Sequence, residues 1–251
     1  MCKVINLFGE PGAGKSALAA YIFYRLKILG YNCELCTEFA KSMVYEKNEM
    51  ALSNQSYIFG NQMQKMGRLK DNVDIIITDS PLLLCGLYVK ESSMANNFFN
   101  LVFDYFNTYN NYNYLLKRDH KYVKDGRLQD EKGAQKIRDE LVASLIHYKI
   151  PYTELVSTAN PNQMINPAGE YIISEVIKDI KPYEGFDSSN KEKIIIKPSI
   201  KDIFNSLHIV RGTKKLWKKI INILAEHSAK AKSVRPLKFP AGSTASATTA
   251  V

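Results

Sequence analysis

The chain has 251 residues, is 45% hydrophobic and 24% charged, and carries a formal net charge of +9. This composition is typical of a soluble globular protein. It excludes membrane-spanning helices, because no apolar run reaches the roughly 18 residues that one needs. Glycines and a proline interrupt the first apolar stretch, which makes it a poor signal peptide, and we expect a cytoplasmic protein.

The positive charge lies at the carboxyl end. From residue 181 onward there are 14 Lys and Arg against 5 Asp and Glu, which accounts for the whole excess. We predict a globular domain over residues 1–182, a basic and partly helical extension over 183–232, and a disordered tail over 233–251. Residues 191–238 are the candidate contact with nucleic acid or an acidic surface.

Apolar runs alternate with amphipathic stretches along the first 180 residues. This alternation predicts an α/β fold, a parallel sheet of about five strands covered by helices on both faces. Cys33 and Cys36 form a CxxC pair with no second ligand pair at zinc spacing, and we interpret them as part of a buried strand. Strands are predicted at 3–8, 32–36, 73–79, 112–117 and 150–156, and helices at 16–30, 38–48, 55–70, 94–108, 131–148 and 167–180.

Residues 9–16, hereafter the phosphate loop, read GEPGAGKS and fit the pattern GxxxxGK[ST] between a predicted strand and a predicted helix. Such a loop turns backbone N–H groups toward phosphates, while its lysine reaches the β- and γ-phosphates and its hydroxyl binds Mg²⁺. The sequence therefore predicts a P-loop NTPase fold that binds ATP, or another nucleoside triphosphate, with Mg²⁺. The predicted nucleotide contacts are Gly9, Glu10, Pro11, Gly12, Ala13, Gly14, Lys15, Ser16 and Ala17.

Two acidic residues follow predicted strands. Asp79 ends the third strand, where a carboxylate can hold Mg²⁺ together with Ser16 or orient a phosphoryl acceptor; the alternative is an acid that caps the next helix. Glu38 follows the second strand, which we expect to neighbour the first. It is either a base for an attacking hydroxyl or a first-turn glutamate with Thr37 as N-cap. The sequence leaves open which acid is the base.

Basic residues are dense after the fourth strand, from Lys117 to Arg127. In a phosphotransferase this segment would form a lid that brings arginines to the transferring phosphoryl group. Arg118 and Arg127 are the first candidates and Arg138 the third; the alternative is a solvated loop. Gln62 lies among amides and aromatics that could contact a base or pyridine ring, although most such stripes are core.

Together, GEPGAGKS, TEFAK, TDSPLL and DGRLQDEKGAQKIRDEL resemble small P-loop nucleoside and nucleotide kinases over residues 1–180. The order of these motifs is similar in particular to the ribosylnicotinamide-kinase-like group, the kinase half of a bifunctional bacterial NAD-synthesis protein, and a bacteriophage version would have this size. The resemblance implies an ATP:hydroxyl phosphotransferase with Glu38 as acidic substrate-binding or base residue, Asp79 as the acid of an Asp-Arg-Ser-type motif, and Arg118 and Arg127 in the lid. Ser80 and Lys41 stand where arginines are usual.

Three hypotheses follow. The first is a Mg²⁺/ATP-dependent kinase of a small nucleoside-like or nucleotide acceptor, in which Lys15, Glu38, Asp79, Arg118 and Arg127 are catalytic and Glu38, Gln62 and Asp79 bind the substrate. The second is a switch or nucleic-acid-associated ATPase that uses the basic extension, which would show ATPase activity stimulated by DNA or RNA and weakened by salt. The third is a protein that holds nucleotide without chemistry.

Overall fold

A computed structural model describes residues 1–89, 95–119, 121–122, 130–157 and 165–183. Among these residues no helix combines the length and the apolar character needed to cross a membrane. The extension beyond residue 183, the tail, and Arg127 lie outside the described residues, so the predicted domain division stays a prediction. In chain order the elements are β1 Lys3–Phe8, α1 Lys15–Ile28, β2 Cys33–Cys36, α2 Ala40–Tyr45, α3 Glu49–Ser53, α4 Gln55–Gly67, β3 Ile75–Thr78, α5 Leu83–Leu87, α6 Ala95–Phe106, β4 Asn110–Arg118, α7 Glu131–His147, β5 Thr153–Ser157 and α8 Pro167–Val176.

The five strands form one sheet in the order β2-β3-β1-β4-β5, and every pairing is parallel. This confirms the predicted α/β architecture and its five strands. The expectation that β2 neighbours β1 was wrong, because β3 lies between them. The chain leaves β1, skips one position to form β2, and returns to fill the gap. All five carboxyl ends therefore lie at one edge of the sheet, and the phosphate loop leaves the central strand there.

The sheet is buried on both faces, as the continuous apolar runs predicted. Side chains of β1 alternate between the faces: Ile5 and Leu7 pack with α1 and α8, whereas Val4 and Phe8 contribute to the clusters on the opposite face. Asn6 is a polar exception on that second face, where it donates hydrogen bonds to Asn111 at 2.8 Å and Asn113 at 3.0 Å.

The CxxC pair illustrates the same alternation. Cys33 packs in the cluster beneath α1, and Cys36 packs in the cluster on the other face of the sheet. Burial raises the pKa of each thiol to about 11. Two side chains on opposite faces cannot bind one ion together, which confirms the interpretation of the pair as part of a buried strand.

The helix predicted over 38–48 is shorter in the structure, and a second short helix follows it. α2 ends at Tyr45, Lys47 adopts a left-handed conformation with φ 54°, and the Asn48 side chain accepts a hydrogen bond from the Ala51 amide to start α3. Asparagine is a strong N-cap residue, and a left-handed residue cannot continue a helix. α2 therefore covers only part of the predicted range, and α3, which was not predicted, lies beyond it.

A buried ion pair fastens α8 to α1. Arg25 Nε lies 2.6 Å from Glu170 Oε1, Tyr21 donates its hydroxyl to the same oxygen at 2.6 Å, and the two charged side chains are only 8% and 7% exposed. The hydrogen bond to Glu170 raises the pKa of the Arg25 guanidinium. The close approach at this point leaves no room beside Gly169, where an added Cβ would lie 2.5 Å from the Tyr21 ring.

We predict that Glu170→Gln destabilises the fold by about 3 kcal/mol, because it removes the buried negative charge that faces Arg25. Chemical denaturation measures the change in the free energy of unfolding. The control is Glu175→Gln on the same helix, which removes an exposed ion pair with Lys178 and should cost less than about 1 kcal/mol. Equal effects of the two substitutions would contradict the prediction.

Candidate functional site

The phosphate loop turns sharply between β1 and α1. Gly14 is left-handed with φ 85°, and Gly9, with φ 149°, lies so close to β4 that an added Cβ would be 3.1 Å from the Leu116 carbonyl oxygen. Both positions therefore require glycine. Within the loop, Lys15 Nζ donates to the carbonyl oxygens of Gly9 at 2.9 Å and Glu10 at 3.1 Å. The lysine thus lies across the loop that the sequence predicts to bind phosphate.

The first turn of α1 is suited to an anion. Its N-cap residue, Gly14, makes no side-chain capping bond, and the first turn carries no acidic residue. The amides at a helix start have no intrahelical partner, and the helix dipole places partial positive charge there. The amino end of α1 can therefore receive a phosphate group.

Asp79 joins the phosphate loop to the turn after β2. Its Oδ2 accepts a hydrogen bond from Ser16 Oγ at 2.5 Å, its Oδ1 accepts from the Glu38 amide at 3.1 Å, and the residue is 5% exposed. The alternative of an acid that caps the next helix was wrong, since the N-cap of α5 is Leu82 and makes no side-chain bond. Parallel strands β1 and β3 are neighbours, which brings their carboxyl ends together.

The oxygens of Ser16 and Asp79 suit Mg²⁺. A hydroxyl and a carboxylate are hard oxygen donors, and Mg²⁺ in proteins commonly takes one or two such ligands with water and substrate phosphates. The two oxygens lie 2.5 Å apart, at the first turn of α1, to which Ser16 belongs. Among the described residues there is no cluster of three or more His, Cys, Asp or Glu side chains that would form a metal site elsewhere.

Glu38 lies half-buried between β2 and α2. Burial raises the pKa of its carboxyl group, the charge of Asp79 raises it further, and the charges of Lys15 and Lys41 lower it. The carboxylate therefore lies within electrostatic reach of the loop lysine. The alternative of a first-turn glutamate was wrong, because α2 begins at Ala40 with Phe39 as N-cap and has no acid in its first turn.

Gln62 supports the turn that carries Glu38. The side chain, on α4, is 1% exposed; its oxygen accepts from the Phe39 amide at 2.9 Å and its nitrogen lies 3.4 Å from the Thr37 carbonyl oxygen. Lys65, one turn further along α4, donates to the same carbonyl at 2.9 Å. Substrate contact by Gln62 stays a prediction, and the bonds that the structure gives it hold Glu38 in place.

Of the predicted lid arginines, Arg118 is described. It ends β4 beside β1, pairs through Nη2 with Glu131 at 3.0 Å, and has its guanidinium over the Tyr122 ring at 5.0 Å. The side chain is 11% exposed, and its Nη1 makes no hydrogen bond to the part of the chain that is described. Arg118 therefore retains a donor at the edge where the phosphate loop lies.

Arg138, the third candidate, is placed differently. Its Nη1 donates to Glu10 Oε2 at 3.2 Å and to the Leu116 carbonyl oxygen at 2.8 Å, and its Nη2 donates to Glu154 Oε1 at 2.5 Å. The guanidinium thus binds one residue of the phosphate loop and one residue each of β4 and β5. The sequence contained no signal for this pairing, since Glu10, Arg138 and Glu154 are far apart in the chain.

No protein-family model and no curated protein sequence matches the chain. Solved structures with similar backbones include deoxyadenosine kinase from M. mycoides with bound dATP, at 20% identity and a TM-score of 0.39, covering 69% of this chain and 98% of that one. The same enzyme with products dCMP and dCDP gives 19% and 0.42 at the same coverage. Shikimate kinase from Bacteroides thetaiotaomicron gives 10% and 0.33 over 69% and 93%. Structural similarities at these identities and TM-scores do not indicate a function for this chain. Its function is therefore argued from the geometry of the site.

Proposed function

We propose that the protein is a Mg²⁺/ATP-dependent phosphotransferase that acts on a hydroxyl group of a small nucleoside-like or nucleotide acceptor. One observation carries the proposal: the Asp79 carboxylate binds both the hydroxyl of the phosphate loop and the amide of Glu38. A triphosphate site and an acid able to accept a proton are thereby held by the same side chain. Transfer to an acceptor needs this adjacency, whereas nucleotide binding alone does not.

The roles of the two acids can be separated from their contacts. Each carboxylate oxygen of Asp79 already accepts a hydrogen bond within the protein, so Asp79 is suited to orientation and to the metal shell. The pKa of Glu38 is raised by burial, as expected of a general base that must take a proton near neutral pH. We therefore assign Glu38 as the base, the alternative that the sequence left open.

In the proposed transfer, one proton and one phosphoryl group move between the acceptor, Glu38 and ATP. An acceptor hydroxyl gives its proton to Glu38 while its oxygen bonds to the γ-phosphorus, and the bond from that phosphorus to the β,γ-bridging oxygen breaks, so ADP leaves with the electron pair. Lys15, the loop amides and Arg118 offset the negative charge of the phosphoryl group. Bound Mg²⁺, held by Ser16 and Asp79, would neutralise charge on the β- and γ-oxygens.

The acceptor class is tested by incubating the protein with ATP and Mg²⁺ and a panel of nucleosides, nicotinamide riboside and nucleoside monophosphates. Nicotinamide riboside is included because the motif order resembles the ribosylnicotinamide-kinase-like group. We expect one class to be phosphorylated on a hydroxyl group, with one ADP formed per product. Mass spectrometry of the product and a coupled ADP assay measure both quantities.

Two outcomes would contradict the proposal. ADP formation that depends on DNA or RNA and falls with salt, without a phosphorylated small molecule, would establish the nucleic-acid-associated ATPase instead. ATP binding by calorimetry with no turnover of any acceptor would establish a nucleotide-holding protein.

A further inference from the structure

The phosphate loop contains a buried carboxylate of its own. Glu10, the second residue of the loop, is 3% exposed, and its backbone carbonyl also accepts hydrogen bonds from Lys15 Nζ and the Ala13 amide. A negative charge in a loop that receives a triphosphate repels the ligand, and low local dielectric strengthens that repulsion. Burial of a lone carboxylate is itself costly. The loop therefore needs a cation that stays with Glu10.

Arg138 meets this requirement from α7. Besides Glu10, its guanidinium binds the Leu116 carbonyl oxygen of β4 and the Glu154 carboxylate of β5, and the side chain is 12% exposed. The planar guanidinium uses two separate nitrogens for these three bonds, whereas a lysine would offer a single nitrogen. The Leu116 carbonyl oxygen would also lie 3.1 Å from a Cβ added at Gly9. The arginine thus connects the loop to the strands on which it rests.

Helix α7 also contacts a second arginine of the site. Glu131, the first residue of α7, pairs with Arg118 at the end of β4. α7 therefore makes two contacts at this site: Glu131 binds Arg118, whose Nη1 has no hydrogen bond within the described residues, and Arg138 binds the loop carboxylate.

We propose that Arg138 is a positioning residue for the triphosphate: it neutralises the buried carboxylate of Glu10, so that the loop accepts an anion which Arg138 itself does not contact. The inference rests on the proposed function only in that the loop binds ATP; it is independent of the acceptor and of the transfer step. It differs from the lid role, in which the arginine would bind the phosphoryl group directly.

The test is ATP affinity, measured by calorimetry with Mg²⁺ on the full chain, for Arg138→Met, Glu10→Gln and the double variant. We expect Arg138→Met to weaken binding by about tenfold or more, since it leaves the carboxylate uncompensated. Glu10→Gln should bind ATP at least as tightly as the wild type. The double variant should return to within about threefold of the wild type, because removing the carboxylate removes the need for its counterion.

Recovery of ATP affinity in the double variant distinguishes charge neutralisation by Arg138 from its other possible roles. If Arg138 bound phosphate directly, or supported the fold only through Leu116 and Glu154, adding Glu10→Gln to Arg138→Met would restore nothing, and that result would overturn the inference. Should Arg138→Met not fold, Glu10→Gln alone decides, because it retains the arginine's bonds to Leu116 and Glu154: ATP binding weaker than that of the wild type would overturn the inference.

A matched control is Glu154→Gln, which removes the other carboxylate partner of Arg138 outside the loop. It should change ATP affinity by less than about threefold, because the charge on Glu10 remains paired. A larger loss than that caused by Arg138→Met would contradict the pairing. If the wild-type protein bound ATP but phosphorylated no acceptor, the proposed function would be overturned. The inference about Arg138 would still be decided by the ATP affinities of the variants.

Discussion

Lys15→Ala is expected to lower turnover by at least about a thousandfold. The side chain lies across the phosphate loop with its ammonium group 2.9 Å from the Gly9 carbonyl oxygen. Lys15 is the one basic residue among loop residues 9–16, so it is the loop side chain that can offset the charge developing on the transferring group. Removal of one preorganised stabilising group typically costs a factor of 10² to 10³. Loss of ground-state affinity adds to this. Steady-state assays with the identified acceptor measure the change.

The control is Lys27→Ala, which removes a lysine from the last turn of the same helix. Lys27 forms a partly exposed pair with Glu34 at 3.8 Å, far from the loop. Its variant should retain turnover within about twofold and unfold at nearly the same temperature, since exposed pairs contribute little. Turnover by Lys15→Ala within tenfold of the wild type would refute the role of the phosphate loop in catalysis.

Local features of the fold were predictable from sequence. The phosphate loop is specified by eight consecutive residues, and IIIT of β3 is an apolar run that only a buried strand explains well. The start of β5 at Thr153 was missed, because the prediction began the strand at residue 150; Pro151, which has no amide hydrogen to donate to a strand partner, was the local signal for the later start. Each of these features is determined by residues that are close together in the chain, so it can be recognised without knowing the tertiary fold.

Features that depend on distant pairing were not predictable in the same way. The position of β2 beside β3 is decided by which strands meet, and no residue of CELC distinguishes β1 from β3 as its neighbour. The pairing of Arg138 with Glu10 joins residues 128 positions apart. Gln62 likewise reads as a polar member of a helical stripe until the Phe39 amide is placed opposite it. Each case requires the tertiary fold before the partner is known.

Glu38→Gln is expected to lower kcat by about 10² to 10⁴, the contribution typical of a general base. The substitution keeps the shape of the side chain and removes its ability to take the acceptor's proton. The backbone amide of residue 38, which donates to Asp79 at 3.1 Å, is unaffected, so the metal-side geometry persists. ATP affinity should therefore change little while turnover falls.

The pH profile identifies the base. Burial raises the pKa of Glu38 above the ordinary value of 4.5, and a base is active only when deprotonated. Wild-type activity should therefore decline as pH falls through this raised pKa, at higher pH than for a solvated glutamate. In Glu38→Gln the remaining rate should lose this acidic limb, because the titrating group is gone.

Glu46→Gln provides the matched control, since Glu46 is an exposed carboxylate at the far end of α2. It should keep both the wild-type rate and the acidic limb. If Glu38→Gln kept the limb at the wild-type position, Glu38 would not be the base, and Asp79, whose oxygens accept hydrogen bonds from Ser16 and the Glu38 amide, would be the remaining candidate. Because those two hydrogen bonds already use Asp79 to join the triphosphate and acceptor sides of the site, the geometry favours Glu38 as the base.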